Sequence, residues 1–244
     1  MQDVDQILSF VANGINDLRL KMSMPDSVIQ IKNAVFYLPN FPADVIQRYI
    51  VSAQDYWDMQ ALNIINKYLK PNSTILDIGA NIGSHTVYWC LEKQAKKVYA
   101  FEPLGTTFDI LKRNVELNNI DDRVELFNIG LSNIETNASV SNYNIQNIGN
   151  TSFKPDDNGQ FKLKCLDSIK IKEKIDLIKI DVEGAEVEVL HGALSTIRKD
   201  NPIIVIESFN HKQEIDNILM SLGYKLSEVI RQGEDYIYIP LQFD

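Results

Sequence analysis

A rhythm constrains this chain more than any single residue does. From about Thr74 onward, short apolar runs rich in β-branched residues alternate with stretches of helical periodicity. Thr74 to Ile78, Lys97 to Phe101, Val124 to Ile129, Asp176 to Ile180 and Pro202 to Ile206 read as strands, with Pro202 at a first position where no ladder donor is lost. Between them, Ile82, Thr86, Val87 and Cys90 share one helical face, and so do Leu104, Phe108, Leu111 and Val115 ahead of Asn118-Asn119. Val187, Leu190, Leu194 and Ile197 predict a further helix, and Ile215, Ile218, Leu219 and Leu222 a last one, stopped at Gly223. Such alternation makes βαβ units, hence an α/β fold with a mostly parallel sheet covered on both faces. Tyr224 to Ile230 and Tyr236 to Ile239 predict a terminal hairpin turning at Gln232-Gly233-Glu234, which needs an antiparallel strand near one edge.

Two regions break the rhythm. Residues 1–70 hold helical patterns (Asp5 to Leu20, Gln54 to Leu69) around an extended piece, Val28 to Leu38, and read as an N-terminal cap. Residues 71–244 read as the main domain, carrying a polar insertion over about 133–165 that is rich in Asn, Ser, Thr and Gly.

Composition narrows the partners. Lys plus Arg number 24 against 33 Asp plus Glu, a net charge of -9 over 244 residues. Gripping a nucleic-acid backbone or an anionic membrane demands the opposite sign, so neither is expected as a partner. No stretch approaches the roughly 20 apolar residues of a membrane span. Cys90 and Cys165 are too few for a disulfide framework or a cysteine-rich zinc site. The first residues include Asp3 and Asp5 and no basic n-region, so no signal peptide is read. The expected setting is soluble, reducing and cytoplasmic.

In an open α/β sheet, ligands sit beyond the carboxyl ends of the strands, where strand order reverses. Here that turn reads Asp77-Ile78-Gly79-Ala80-Asn81-Ile82-Gly83, and Glu102 ends the next strand. Gly79 and Gly83 permit a tight turn and close backbone approach, while Glu102 can accept both hydroxyls of a ribose. A dinucleotide fold wants G-x-G-x-x-G, but its second and third glycines would fall at Asn81 and Ser84. An Asp just ahead of the loop also repels a pyrophosphate. Those residues suit S-adenosylmethionine, a sulfonium nucleoside without phosphate. The competing reading is a purely structural glycine turn.

The most distinctive segment is Asp176-Leu177-Ile178-Lys179-Ile180-Asp181-Val182-Glu183-Gly184-Ala185-Glu186, followed by Val189-Leu190-His191-Gly192-Ala193. With the Asp77 to Gly83 loop, Phe101-Glu102-Pro103 and Pro202 to Glu207, it resembles the FkbM family of S-adenosylmethionine-dependent methyltransferases over roughly residues 54–210. The resemblance implies a class I methyltransferase (Rossmann-like) seven-stranded sheet of order 3-2-1-4-5-7-6 with strand 7 antiparallel. It implies O-methylation of a small-molecule or glycan hydroxyl, on a sugar, glycan precursor or other natural product. By position, Asp77, Gly79, Ala80, Asn81 and Gly83 should border the methionine portion, and Glu102 with Pro103 the ribose. Asn128, Ile129, Gly130 and Leu131 should flank the adenine. Asp181 should lie near the amino-acid tail or the transferring methyl.

Methyl transfer mainly needs alignment of nucleophile and methyl, but an alcohol must also lose a proton to a base. Strand alternation puts Lys179, Asp181 and, if strand geometry persists, Glu183 on one face, so Asp181 and Glu183 lead as base or substrate anchor. Glu207 and His211 form the next pair. Each has a plainer role: Lys179 can simply pair with a carboxylate, and Glu183 or Glu186 can satisfy a helix start. His85 and His191 read as packing residues, and neither cysteine has a base beside it. Some O-methyltransferases of this sheet type hold Mg²⁺ with carboxylates from the tips of strands four and five, places occupied here by Asp181 and Glu207, with Asn210 or His211 nearby. Tyr56, Trp57 and Met59 can cover the methionine end or a sugar face, and Asn147 to Phe153 the other wall. Two other functions compete. An amino-group methyltransferase would carry N-P-P-Y or N-P-P-F after strand four, where Ile180-Asp181-Val182-Glu183 stands. A non-catalytic nucleoside-binding module has less need of both cofactor carboxylates and the full fourth-strand block.

Overall fold

The computed structural model describes residues 27–231 and 234–243. The predicted helix over Asp5 to Leu20 and the turn residues Gln232-Gly233 lie outside them. The chain enters as a hairpin, β1 (Val28–Ile31) and β2 (Ala34–Tyr37), followed by α1 (Val45–Ala53) and α2 (Met59–Ile65). The main alternation follows: β3 (Thr74–Ile78), α3 (Ser84–Glu92), β4 (Lys97–Phe101), α4 (Gly105–Leu117) and β5 (Val124–Phe127). Next come β6 (Gly130–Leu131), β7 (Thr136–Asn142), β8 (Ser152–Pro155) and β9 (Phe161–Lys164). The chain ends with β10 (Leu177–Ile180), α5 (Glu186–His191), α6 (Leu194–Asp200), β11 (Ile203–Glu207), α7 (Lys212–Ser221), β12 (Tyr224–Ile230) and β13 (Asp235–Pro240).

Seven strands form the main sheet in the order β12-β13-β11-β10-β3-β4-β5, with β13 antiparallel to both neighbours and the rest of the ladder parallel. Counted along the chain within this sheet, that is the expected 3-2-1-4-5-7-6. Alternation along each strand sorts side chains into two cores. Ile75, Val98, Leu177 and Val205 point to one side, and Leu76, Tyr99, Ile178 and Ile204 to the other. Both faces are covered, which is why these strands read as continuous apolar runs.

The first core also contains Ile31, Phe36, Ile50, Tyr56 and Leu62, so the region preceding β3 packs on the sheet itself. Side chains of α4 tie it down. Asn114 Oδ1 accepts the Tyr37 amide (2.6 Å), while Asn118 accepts from Val35 N (2.8 Å) and donates to Val35 O (2.7 Å).

Three details differ from the sequence expectations. The third strand ends at Phe127 rather than Ile129. The helix expected through Val187 and Ile197 breaks at Gly192 into α5 and α6, where a Cβ would fall 2.0 Å from the carbonyl oxygen of Ser132. The polar insertion is a four-stranded sheet, β6-β9-β7-β8, whose polar residues supply turns and edges. It meets α1 at Asp44, which accepts the amides of Gln47 (3.0 Å) and Ile148 (3.1 Å) and so joins a helix start to the insertion. No helix among the described residues is long and apolar enough to cross a membrane.

Candidate active site

A cavity of about 560 Å³ opens over the carboxyl ends of β3, β4 and β10, between the main sheet, the insertion and Trp57. The first wall is the turn after β3. Gly79 (φ 78°) is left-handed and pressed so closely on β10 that a Cβ would lie 1.8 Å from the carbonyl oxygen of Asp181. The amides of Gly79 and Ala80 both donate to Phe101 O, at 3.0 and 2.9 Å, locking the turn onto β4. Gly83 (φ 84°) starts α3, packed so that a Cβ would meet Leu111 at 2.5 Å. Ala80 and Gly83 thus shape the loop from behind, while Gly79 and Asn81 line the cavity.

Glu102 ends β4. One carboxylate oxygen accepts the amide of Asn81 (3.0 Å) and the other that of Leu104 (2.9 Å). Burial nevertheless pushes its pKa up to about 7, against the pull of those two amides. Pro103, Ile129 and Gly130 continue this wall. Asn128 is exposed, outside the lining, and its amide donates to the carbonyls of Glu102 (2.8 Å) and Pro103 (3.1 Å). It therefore holds the strand tips in place from outside the cavity lining.

Asp77 is fully buried and stands behind the loop. It accepts from Thr86 Oγ1 (2.6 Å) and lies 3.5 Å from Lys179 Nζ. Lys179 also donates to Asp181 (3.0 Å) and to Gly79 O (3.3 Å). Asp77 accordingly reaches the cavity only through Lys179, unlike the direct border expected of it. Lys179 is the paired lysine of its two readings. Burial works against its charge, but Asp181 and Asp77 overcome this and raise its pKa. Burial alone would raise Asp181, and Lys179 instead holds it below the ordinary carboxylate value.

Strand geometry ends before Glu183, which is left-handed (φ 52°), as is Gly184 (φ 98°). This turn, not alternation, brings Glu183 to the cavity wall. Burial, then the charges of Asp181 and Glu186, push Glu183 up to about 7. Glu186 is buried and accepts the Gly184 amide (2.6 Å), bracing the turn, and its other oxygen meets His211 Nδ1 (3.1 Å). His211 is thereby engaged outside the lining. Glu207, at the tip of β11, bonds Arg231 at 2.6 Å. Burial and Asp181 carry it up to about 8 although the Arg231 guanidinium pulls the other way.

Of the three cap residues singled out, only Trp57 lines the cavity. Its amide donates to Ser84 Oγ (2.9 Å), and its carbonyl lies 3.1 Å from His85 Nε2. Burial and Lys179 lower the pKa of His85, as suits a packed histidine. Tyr56 is a core residue bonded to Asn33 (2.7 Å), and Met59 packs against that core. Sequence reasoning missed Arg231, which joins Glu207, Asp235 and Asp58 across three segments and has no motif around it. Glu188 on α5 also lines the cavity and was not singled out.

A family model for the methyltransferase FkbM domain matches residues 77–226. This chain belongs to the FkbM methyltransferase family. Among curated proteins, it is 29% identical to the methyltransferase sdnD of Sordaria araneosa, with 51% of this chain and 61% of that one covered. It is 26% identical to the hexuronic acid methyltransferase AglP of Haloferax volcanii, over 64% of this chain and 67% of that one. The chain spans about 60% of the length of the first curated relatives it matches. Among solved structures, a Methylobacillus flagellatus FkbM methyltransferase superposes with a TM-score of 0.51 at 15% identity, covering 80% of this chain and 52% of that one. Streptococcus pneumoniae Sp1610 in complex with S-adenosyl-L-methionine gives 0.50 at 12%, covering 74% and 70%. These likenesses establish the class I methyltransferase fold for this FkbM chain.

Proposed function

We propose that this FkbM-family chain is an S-adenosylmethionine-dependent O-methyltransferase acting on a hydroxyl of a sugar, glycan precursor or other small natural product. The observation that carries the cofactor is Glu102, a buried carboxylate whose two oxygens are each oriented by one backbone amide. That leaves its remaining lone pairs for a vicinal diol. The bare backbone at Gly79 and the acidic tip of Asp181 fit the amino-acid tail beside it. When bound, this cofactor supplies a methyl group already activated by a sulfonium.

The chain's own residues align the acceptor and take its proton. Glu183 is the proposed general base: its side chain makes no hydrogen bond among the described residues, and its pKa near 7 suits proton uptake at neutral pH. Glu207, held by Arg231, and Trp57 from the cap serve as anchors on the acceptor side. Asp181 stays ionised against Lys179 and leaves proton transfer to Glu183.

Mg²⁺ finds a poor donor set here. Asp181 and Glu207 already carry cationic partners, and no cluster of three or more His, Cys, Asp or Glu among the described residues is placed to hold a metal ion. Acceptor methylation should survive chelation. The similarity to a hexuronic acid methyltransferase and the polar insertion support a hydroxylated acceptor.

Calorimetric titration with S-adenosylhomocysteine, with NAD as control, tests the cofactor. Screening with a labelled methyl donor against sugars, nucleotide sugars and hydroxylated natural products tests the acceptor class. Tight NAD binding with no response to S-adenosylhomocysteine would overturn the reading.

A further inference from the structure

Phe209 is 59% exposed and lines the cavity, an apolar ring left in water beside the carboxylates of the β11 side. Its turn is fixed by hydrogen bonds. Ser208 is buried, its amide donates to Glu234 O (2.8 Å), and its Oγ accepts the amide of His211 (3.2 Å). Trp57, the cap's contribution to the lining, is held edge-on by Tyr49, with 5.2 Å between ring centroids. Arg231 ties the two segments together. It pairs with Asp58, beside Trp57, at 3.4 Å and with Glu207, at the base of the Phe209 turn, at 2.6 Å. Two oriented rings therefore border one ion cluster.

The charge around that cluster is one-sided. Asp181, Glu183, Glu207 and Glu234 line the cavity against Arg231, whose guanidinium is also shared with Asp58 and Asp235 outside the lining. Lys154, the other cation of the lining, belongs to β8 of the insertion. Ionised carboxylates only accept hydrogen bonds, so they suit incoming hydroxyls and repel another carboxylate or a phosphate. A pyranose offers an apolar C–H face to an aromatic ring and hydroxyl donors around its edge. Aromatic rings set among acceptors match such a ring when it brings no negative charge.

We propose that Trp57 and Phe209 seat a neutral glycosyl ring as the acceptor, and that the surrounding carboxylates exclude its anionic counterparts. The inference rests on the methyl-transfer reading above, and its test keeps the two apart. Methyl glycosides of glucose, galactose and mannose are compared with the matching uronides and 6-phosphates, using a labelled methyl donor. The assay is run at about pH 8.5, above the values of about 7 and about 8 to which burial and neighbouring charges carry Glu183 and Glu207. For at least one sugar, kcat/KM of the neutral glycoside should exceed that of its uronide and its 6-phosphate by about tenfold or more. Phe209→Ala, a change at an exposed side chain, should raise the KM for that glycoside about three- to tenfold with a smaller effect on kcat. Phe209→Tyr should restore it, and S-adenosylhomocysteine affinity should stay that of the parent in both variants. A uronide or phosphate used as well as its neutral partner overturns the proposal, and so does an unchanged KM in Phe209→Ala. If S-adenosylhomocysteine binds but no neutral glycoside is methylated, the proposal falls and the cofactor reading stands. If S-adenosylhomocysteine does not bind, both fall.

Discussion

Lys179 and Asp181 form an ion pair of 3.0 Å at the tip of β10, and the same ammonium reaches back to Asp77 at 3.5 Å and to the Gly79 carbonyl at 3.3 Å. One buried cation thus joins the glycine loop to the fourth strand of the sheet. Two carboxylates can then be held close together, Asp77 beneath the cavity floor and Asp181 on its wall. The cavity is organised from behind by a residue that does not line it.

Removing that cation should cost more than the pair is worth, because Asp77 would be left buried and unpaired, repelling the nearby Asp181. Lys179→Met is expected to lose about 3–5 kcal/mol of stability. Chemical denaturation of the variant checks this.

Gly79→Ala should damage the site from the other side. The new Cβ would collide with Asp181 O at 1.8 Å in a left-handed backbone. The loop must shift, with strain of about 1–3 kcal/mol. S-adenosylhomocysteine affinity should fall by about tenfold or more, as read by calorimetry.

The pKa of Glu102 near 7 gives cofactor binding a pH dependence. Ribose hydroxyls donate best to the ionised carboxylate, so binding releases a proton from a protonated site. Affinity for S-adenosylhomocysteine should therefore rise between pH 6 and 8. Glu102→Gln should flatten this dependence, and Glu102→Ala should weaken binding throughout.

Glu183→Gln removes the proposed base. With an acceptor found by the screen, kcat should fall about 100- to 10,000-fold while S-adenosylhomocysteine affinity stays near that of the parent. The parent's rate should climb on an acid limb near pH 7, the value to which burial brings Glu183, and the variant should lack it.

The same variant has a signature in stability. The folded pKa of Glu183 lies above its ordinary 4.5. Between pH 4.5 and about 7 the folded chain keeps a proton that the unfolded chain has lost, so this group's contribution is greatest at low pH and falls as pH rises. Glutamine cannot charge. The melting temperature of Glu183→Gln relative to the parent should increase from pH 5 to 8, and a constant difference would contradict the assigned shift.

Much of this architecture is written locally in the chain. Strand and helix periods between Thr74 and Ile239 identify the elements, because burial of both sheet faces demands apolar runs and each covering helix demands a stripe. The Gly79 turn, Glu102 at a strand end and the Lys179 to Glu186 block are contiguous features, so one wall of the cavity and the family were legible in the sequence. What tertiary structure decided were the contacts between distant segments. Asp77 retreats behind Lys179 because their strands adjoin, and Glu183 reaches the cavity through a left-handed turn that alternation does not foresee. Arg231 gathers Glu207, Asp58 and Asp235 from three separate segments. Periodicity reports which face a residue occupies. Only packing determines which charges then meet, and at what distance.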